Sequence, residues 1–295
     1  MVLFRDTKRE SWDIRQLDIN NAFLNGKLEE DVFMEQPQGF VDASKPDYKF
    51  KNSKVDSSLF FYKAPGLMVM VLIYVDDIIV TSNNTHKLNQ FVEKLHAMFA
   101  LKDLGPLHYF LGIEVHRDET GLYLNQGKYV KELLHRTGMM HLKPCSTPMT
   151  VGRPLSKSDG DPLQNPTDYR SIIGGLQYLT HTKHDLSFAV NKLSQFLQAP
   201  TTAHWSATKR VLRYLKGTVY HGLHIKNSDR LAITGYSDAD WACFPDDRRS
   251  VAGYCVFFTD TLVSWSSKKQ AVVSRSSTSS SFSRNLVDPV PSQRI

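Results

Sequence analysis

The stretch LMVMVLIYVDDIIVT, residues 67–81, decides the fold of the first part of this chain. Apolar runs at residues 67–74 and 78–81 flank a short turn that contains the acidic pair Asp76 and Asp77. This pattern predicts a strand, a tight hairpin and a second strand. Adjacent carboxylates repel each other, and Mg²⁺ would relieve that repulsion because hard cations prefer oxygen ligands. An ordinary acidic β-turn is the other interpretation, since Asp is frequent in turns.

A third carboxylate lies upstream, in the segment QLDINNAFL at residues 16–24. Side chains alternate between the two faces of a strand, so Leu17 and Ile19 would share one face and Asp18 would lie on the other. Asp18 is therefore a candidate third metal ligand beside the acidic pair of the hairpin. An aspartate that begins a helix as its N-cap would give the same local pattern.

Composition excludes several classes of protein. Of the 295 residues, 41% are hydrophobic and 22% charged, which excludes collagen, coiled coil and disorder along the whole chain. The longest apolar stretch without a charge, residues 64–75, is about a dozen residues long, whereas a membrane helix needs about 20. The opening residues MVLFRDTKRE lack the apolar core of a secretory signal. The sequence therefore predicts neither membrane insertion nor secretion.

The cysteines and histidines indicate no metal or disulfide framework. Cys145, Cys243 and Cys255 are far apart and form no CxxC pair, which fits a reducing compartment. His181 and His184 form an HxxH pair, but no cysteine pair accompanies them, so a structural zinc site is not expected.

Charge is uneven along the chain, whose net charge is +6. Residues 1–150 hold 18 basic and 19 acidic residues, whereas residues 151–295 hold 18 basic and 11 acidic ones, none of them Glu. A basic half favours a polyanionic partner. Within it, Lys209, Arg213 and Lys216 recur at helical spacing and would share one helix face. That face either follows the phosphates of a nucleic acid or is simply solvated.

The chain has a two-part organisation. Residues 143–168 are rich in Pro, Ser, Asp and Gly, and this composition predicts a linker. Apolar spacing predicts a helix that carries Leu88 and Leu95 in the first part, and two helices that carry Leu193 and Leu212 in the second. Strands are expected after these two helices, at residues 231–237, 253–258 and 262–266.

Several sequence blocks occur together in a fixed order. LDINNAFLNG, VFMEQPQGF, DSSLF and YVDDIIVTSNN are followed by FLGIEV, LNQGKYVKELL and CSTPM. In this order they resemble the reverse transcriptase of Ty1/copia-type LTR retrotransposons. Residues 169–218 resemble the connection region of these elements, and GYSDADWACFPDDRRSVAGYCVFF resembles the start of their RNase H domain.

The resemblance implies an α/β fold class, with an incomplete α+β palm and a truncated RNase H-like α/β domain. The reverse transcriptase palm and thumb would occupy residues 11–145, and a linker residues 146–168. Connection helices would cover residues 169–230 and the RNase H-like part residues 231–290.

The resemblance also implies the polymerase site. Asp18, Asp76 and Asp77 would be the catalytic residues and would hold two Mg²⁺ or Mn²⁺ ions for phosphoryl transfer. The implied partners are an RNA template, a DNA primer, an RNA/DNA hybrid and a deoxynucleoside triphosphate. The expected location is the cytoplasm, in a virus-like particle, or the nucleus.

Three further residues take substrate-binding roles from the resemblance. Phe23 matches the steric gate against a ribose 2′-hydroxyl, although a core aromatic would fit the same position. Tyr74 and Val75 would lie beside the primer end, while Tyr74 is equally suited to packing in a strand.

The RNase H-like part carries an incomplete metal site. Asp238 matches its first metal-binding aspartate, and Asp240 would share its face because strand side chains alternate. Ser279 and Ser281 stand where the family has glutamates in an SRSSTEAEY-like stretch. Since a neutral hydroxyl is a poor Mg²⁺ ligand, the sequence predicts no RNase H activity.

Two other departures concern the polymerase. Only fifteen residues separate Phe40 from Asp56, where the family has a few dozen more, including a YGLKQAPR-like motif. The chain also begins about a strand before Asp18, so the fingers that contact the triphosphate are expected to be absent. Two hypotheses follow: an RNA-directed DNA polymerase that is defective as this chain, or a catalytically dead retroelement remnant with weak nucleic-acid binding.

Overall fold

The computed structural model describes residues 12–19, 50–99, 101–150, 152, 154–226 and 232–273. The chain forms two compact units, Met1–Phe110 and Leu111–Ile295. Both combine helices with antiparallel strands, so the α/β fold class expected from the sequence is confirmed. The domain boundaries at residues 145, 168 and 230 stay predictions. Among the described residues, no helix is long and apolar enough to cross a membrane.

A six-stranded antiparallel sheet forms the first unit, and its strands lie in the order β2-β3-β4-β5-β1-β6. The unit also contains the helix α1 after β5, and it ends with the short strand β7. The bounds are β1 (Asp13–Ile19), β2 (Lys51–Asn52), β3 (Leu59–Ala64), β4 (Leu67–Tyr74), β5 (Asp77–Ser82), α1 (Thr85–Met98), β6 (Leu101–Pro106) and β7 (Tyr109–Phe110).

The hairpin of β4 and β5 confirms the predicted strand, turn and strand. The two strands pair as far as Tyr74 and Asp77, which leaves Val75 and Asp76 as the two residues of the turn. The hairpin lies inside the sheet, because β3 pairs with the other edge of β4 and β1 with the other edge of β5. The turn is therefore held by four adjacent strands.

Helix α1 covers one face of this sheet. Its buried residues Leu88, Val92 and Leu95 pack against Leu17 of β1 and Val80 of β5, among other apolar side chains. The helix was predicted in the sequence analysis from the spacing of these same apolar residues. Because Leu17 faces α1, strand alternation turns the neighbouring Asp18 to the opposite face.

Helices and two further sheets make up the second unit. Strands β10, β9 and β8 pair in that order, and β11, β12 and β13 form a three-stranded antiparallel sheet. The bounds are β8 (Ile113–Asp118), β9 (Gly121–Asn125), α2 (Gly127–Arg136), α3 (Pro166–Leu179), a 3-10 turn (His184–Leu186), α4 (Ser187–Ser194), α5 (Thr202–Gly217), β10 (Leu223–Lys226), β11 (Ile233–Asp240), β12 (Val251–Phe258) and β13 (Thr261–Lys269).

The four α-helices described in the second unit share one apolar core. Leu133 of α2, Ile173 of α3, Leu193 of α4 and Leu212 of α5 are at most 1% exposed. Burial of such side chains contributes about 1.5–3 kcal/mol each. The hydroxyl of Tyr169 is buried among them and donates to the Leu193 carbonyl at 2.7 Å.

The Pro- and Ser-rich segment before α3 packs against α5. Buried His204 accepts a hydrogen bond from the Thr201 amide through Nδ1, at 3.0 Å, and its Nε2 lies 3.1 Å from the Ser156 carbonyl oxygen. The ring stacks on Phe196 with a centroid separation of 3.8 Å. Residues expected from composition to act as a linker are therefore attached to the helical core.

Candidate functional site

The aspartates predicted from the sequence meet at one end of the first sheet. In the antiparallel register of β1 and β5, Asp18 lies directly opposite Asp77. Tyr74 lies opposite Asp77 on the other side, across β4 and β5. Directly opposed residues share a face and have Cβ atoms about 5 Å apart. The structure therefore brings Asp18 and Asp77 together, with Asp76 next to them in the turn.

Burial and charge perturb the central carboxylate of this group. Burial raises the pKa of Asp77 above its ordinary value, and the charges of Asp76 and Asp18 raise it further. A hydrogen bond from Gln16 Nε2 to Asp77 Oδ1, at 3.3 Å, acts in the opposite direction. The charges of Asp18 and Asp76 are thus close enough to Asp77 to disfavour its ionised form.

Gln16 is a site residue that the sequence reading missed. It lies on β1 two residues before Asp18 and therefore on the same face, is only 4% exposed, and has its Oε1 buried without a hydrogen-bond partner. The sequence signal for Gln16 was its position, as a polar residue two places before a candidate ligand on the same strand. Its amide orients Asp77.

The carboxylates do not form a ready three-ligand cluster. Within the described residues, no group of three His, Cys, Asp or Glu side chains is close enough to hold one metal ion. No Lys or Arg of the described chain forms an ion pair with Asp18, Asp76 or Asp77. Their negative charge is therefore not neutralised by a side chain of this part of the protein.

The turn that carries Asp76 is strained. Val75 has a φ of +56°, a region that β-branched residues rarely adopt. The Asp76 carbonyl accepts a hydrogen bond from the Ile19 amide at 2.9 Å, which ties the turn to β1. Tyr74 and Val75 are 50% and 53% exposed, so their predicted contact with a primer is sterically open.

Replacing Val75 with Asn is expected to stabilise the first unit by about 1 kcal/mol, because Asn tolerates positive φ and a strained backbone costs about 1–3 kcal/mol. Thermal unfolding measures the change. The matched control is Val55→Asn, at a residue that is 93% exposed and has no positive φ. Equal melting temperatures for the two variants would contradict the assignment of strain to Val75.

The acidic pair of the second unit lies on β11. Asp238 and Asp240 pair with Gly253 and Val251 of β12 and share one face; both are exposed. The strand extends to Asp240, beyond the end at residue 237 that the sequence predicted. The proposed metal role of Asp238 is not tested by this geometry.

The three basic residues predicted to share a face of α5 make different contacts. Arg213 Nε donates to the Lys143 carbonyl at 2.8 Å, and Lys216 Nζ donates to the Leu142 carbonyl at 2.6 Å. Lys209 is exposed, with its ammonium 5.7 Å from the centroid of the Trp205 ring. Two of the three cations therefore anchor a neighbouring segment, and Lys209 is the one most accessible to a ligand.

Several predicted positions lie outside the described residues. They are the steric-gate candidate Phe23, the QPQGF block at residues 36–40, and the serines Ser279 and Ser281. Their predicted roles stay predictions.

This antiparallel sheet, with a helix on one face and with Asp18 opposite Asp77, is consistent with the palm of a reverse transcriptase. Residues 41–151 match the family model described as reverse transcriptase (RNA-dependent DNA polymerase). The chain belongs to the reverse transcriptase family of copia-type retrotransposon Pol polyproteins.

Individual relatives agree with this assignment. The chain is 45% identical to the retrovirus-related Pol polyprotein from transposon RE2 of Arabidopsis thaliana, over 92% of this chain and 21% of that protein. It is 33% identical to the Pol polyprotein from transposon TNT 1-94 of Nicotiana tabacum, over 92% and 23%. An uncharacterized mitochondrial protein of Arabidopsis thaliana is 44% identical over 72% of this chain and 88% of its own length. The chain spans about a fifth of the Pol polyproteins it matches.

Proposed function

We propose that the first unit of this chain is the palm of an RNA-directed DNA polymerase, with Asp18, Asp76 and Asp77 as its catalytic carboxylates. The observation that carries the proposal is the register of β1 and β5, which sets Asp18 opposite Asp77 beside the YVDD turn. Paired carboxylates at a strained turn are costly to keep without a use.

The chemistry of the donor set fits Mg²⁺ or Mn²⁺, while the described geometry brings no three of these side chains close enough to hold one ion. Three carboxylates supply the oxygen ligands that these ions prefer, and no cation of the described residues neutralises them. Two bound ions would activate the primer 3′-hydroxyl and neutralise the leaving pyrophosphate. Gln16 would keep Asp77 oriented, while the exposed Tyr74 and Val75 would contact the primer end.

The proposed partners are an RNA template, a DNA primer, their hybrid duplex and a deoxynucleoside triphosphate. The basic second half of the chain, with 18 basic and 11 acidic residues at positions 151–295, supports binding of a phosphate backbone. Among the cations predicted for that contact, Lys209 is the best placed, with secondary contributions from Arg213 and Lys216.

A second candidate is a retroelement remnant that binds nucleic acid without polymerising it. The match to the RE2 relative extends over 301 aligned positions, whereas 92% of 295 residues is about 271. About 30 positions of the relative therefore have no counterpart here, a number close to the shortfall inferred between Phe40 and Asp56. Loss of palm elements that position substrates lowers rates by orders of magnitude.

Primer extension on an RNA template, with Mg²⁺ or Mn²⁺, separates these functions. We expect salt-dependent binding of the primer–template and no extension by this chain, because its carboxylates are present and the shortfall inferred between Phe40 and Asp56 would remove palm elements that position substrates. Gel analysis of a labelled primer, together with filter binding, measures both properties.

Two other outcomes of this experiment would contradict these expectations. Extension that disappears in Asp77→Asn but not in the control Glu93→Gln would show a complete polymerase and overturn the predicted loss. Absence of any binding to the primer–template would contradict the proposed function itself.

A further inference from the structure

A large pocket lies within the second unit, and all of its lining residues belong to that unit. It has a volume of about 960 Å³ and is bounded by parts of residues 142–155, by α4, by α5 and by the ends of β11 and β12. Sites for small ligands are typically about 300–1,000 Å³. This pocket is therefore large enough for an organic molecule with an attached phosphate.

Cations dominate the polar lining of the pocket. Among its described lining residues there are five basic side chains and one carboxylate, that of Asp240. The basic residues are Lys143, Lys192, Lys209, Arg210 and Arg213. A concave wall with this imbalance concentrates positive potential, so the chemistry of the lining favours an anion.

One of these cations, Arg210, has an unused hydrogen-bond donor, and a second, Lys192, is buried. Arg210 donates from Nη2 to Thr147 Oγ1 at 2.7 Å, but its Nε is buried and has no acceptor within the described structure. Lys192 is only 7% exposed, and its ammonium lies 3.6 Å from the centroid of the Phe244 ring. Buried donors are nearly always satisfied in native proteins, and a phosphate oxygen would satisfy the guanidinium.

Apart from Thr150 and Ser206, most of the remaining lining is apolar, and it contains an exposed aromatic ring. Phe188 on α4 is 48% exposed although it borders the pocket, and Met149, Leu155 and Ala207 are further apolar neighbours. Exposed aromatic rings beside basic side chains are the usual platform for stacking a nucleobase. An inorganic anion alone would leave this apolar part unused.

We propose that this pocket binds a nucleotide, with its phosphate on the cations of α5 and its base against Phe188. The nucleotide is either a free mononucleotide or one unit of a single strand, since both present the same phosphate and base. The proposal deepens the proposed nucleic-acid binding and rests on it, since Lys209 and Arg213 serve both; it is separate from the polymerase site, because none of the aspartates of the first unit lines the pocket.

Fluorescence anisotropy of the full chain with a short, labelled single-stranded oligonucleotide tests the proposal. We expect Phe188→Ala to weaken binding by roughly tenfold, the effect of losing one stacked base. Lys209→Gln is expected to lower the slope of log K against log salt by about 0.7, the value for one phosphate of a single strand. Lys226→Gln, an exposed lysine outside the pocket, is the control and should bind like the parent.

Competition then identifies the source of the nucleotide. Displacement of the oligonucleotide by adenosine monophosphate assigns the pocket to a free nucleotide, and binding of the oligonucleotide without displacement assigns it to a strand. Circular dichroism checks folding, and Phe188→Leu, which keeps an apolar side chain but no ring, should also weaken binding.

Two results would overturn the proposal. One is unchanged affinity in both Phe188 variants; the other is that inorganic phosphate displaces the oligonucleotide, at the same concentrations as the mononucleotide or in its place. Asp77→Asn serves to separate the two sites, because it should leave the Phe188 and Lys209 effects unchanged even if the polymerase proposal fails.

Discussion

Asp77→Asn is expected to raise the stability of the first unit in metal-free buffer at neutral pH and to abolish its stabilisation by Mg²⁺. The variant removes one of three mutually repelling carboxylates and keeps a side chain that can pair with Gln16. In the parent, Mg²⁺ at about 100 times its dissociation constant should add about 2.7 kcal/mol by linkage. Thermal unfolding with and without Mg²⁺ measures both effects.

The stability gained by Asp77→Asn is expected to increase as the pH rises. Burial and the neighbouring charges raise the pKa of Asp77 in the folded chain, so the unfolded chain loses this proton first as the pH rises. The parent is therefore destabilised as the pH increases from the ordinary carboxyl range through the folded-state pKa. The advantage of Asp77→Asn should be present at neutral pH and vanish in acid.

The matched control is Glu93→Gln on the exposed surface of α1, which makes the same change of charge away from the site. It should keep the parent's response to Mg²⁺. If Asp77→Asn and Glu93→Gln respond alike to the metal, the metal assignment of Asp77 is wrong.

Lys183→Met is expected to destabilise the second unit by about 2 kcal/mol, the cost of leaving a buried carbonyl unpaired. Lys183 is 1% exposed, and its ammonium donates to the Thr218 carbonyl and, at 2.8 Å, to the His221 carbonyl. These carbonyls lie just beyond α5, so the lysine closes the C-terminal end of that helix. Methionine fills similar space but donates no hydrogen bond.

Because the Lys183 ammonium is buried, the stability lost in Lys183→Met is expected to depend on pH. Burial lowers the pKa of Lys183 to about 8, against an ordinary value of 10.5. Between these values the unfolded chain holds a proton that the folded chain has released, so the stability due to Lys183 rises with pH in this window. The difference between the parent and Lys183→Met should therefore grow from about pH 8 to pH 10.5.

Chemical denaturation across that pH range measures the effect, with Lys226→Met as the control at an exposed lysine. The control should change stability little and without the same pH trend. A Lys183→Met variant as stable as the parent throughout that range would show that the two carbonyl contacts do not support the fold.

The local sequence pattern was sufficient to predict the hairpin, because a hairpin is determined by residues that are neighbours in the chain. Two apolar runs around Asp76 and Asp77 are enough to define strands and a turn. The pattern also showed that Asp18 and Leu17 face opposite ways. It did not identify which strand pairs with β1, since register depends on contacts between residues far apart in the chain. The opposition of Asp18 and Asp77 is therefore a result of the structure.

Other features escaped the sequence because they depend on tertiary packing. Spacing predicted that Lys209, Arg213 and Lys216 share a helix face, but not that two of them donate to carbonyls of residues 142–143. Lys192 is buried, although a lysine in a helix is ordinarily solvent-exposed. Composition likewise could not show that Ser156 is attached to the helical core.

Electron paramagnetic resonance of Mn²⁺ tests the central claim most directly, because bound Mn²⁺ loses the signal of the free ion. We expect the parent chain and Glu93→Gln to bind Mn²⁺, and the double variant Asp18→Asn with Asp77→Asn not to bind it. Equal Mn²⁺ binding by the parent and the double variant would contradict the assignment of these carboxylates as the metal-binding site.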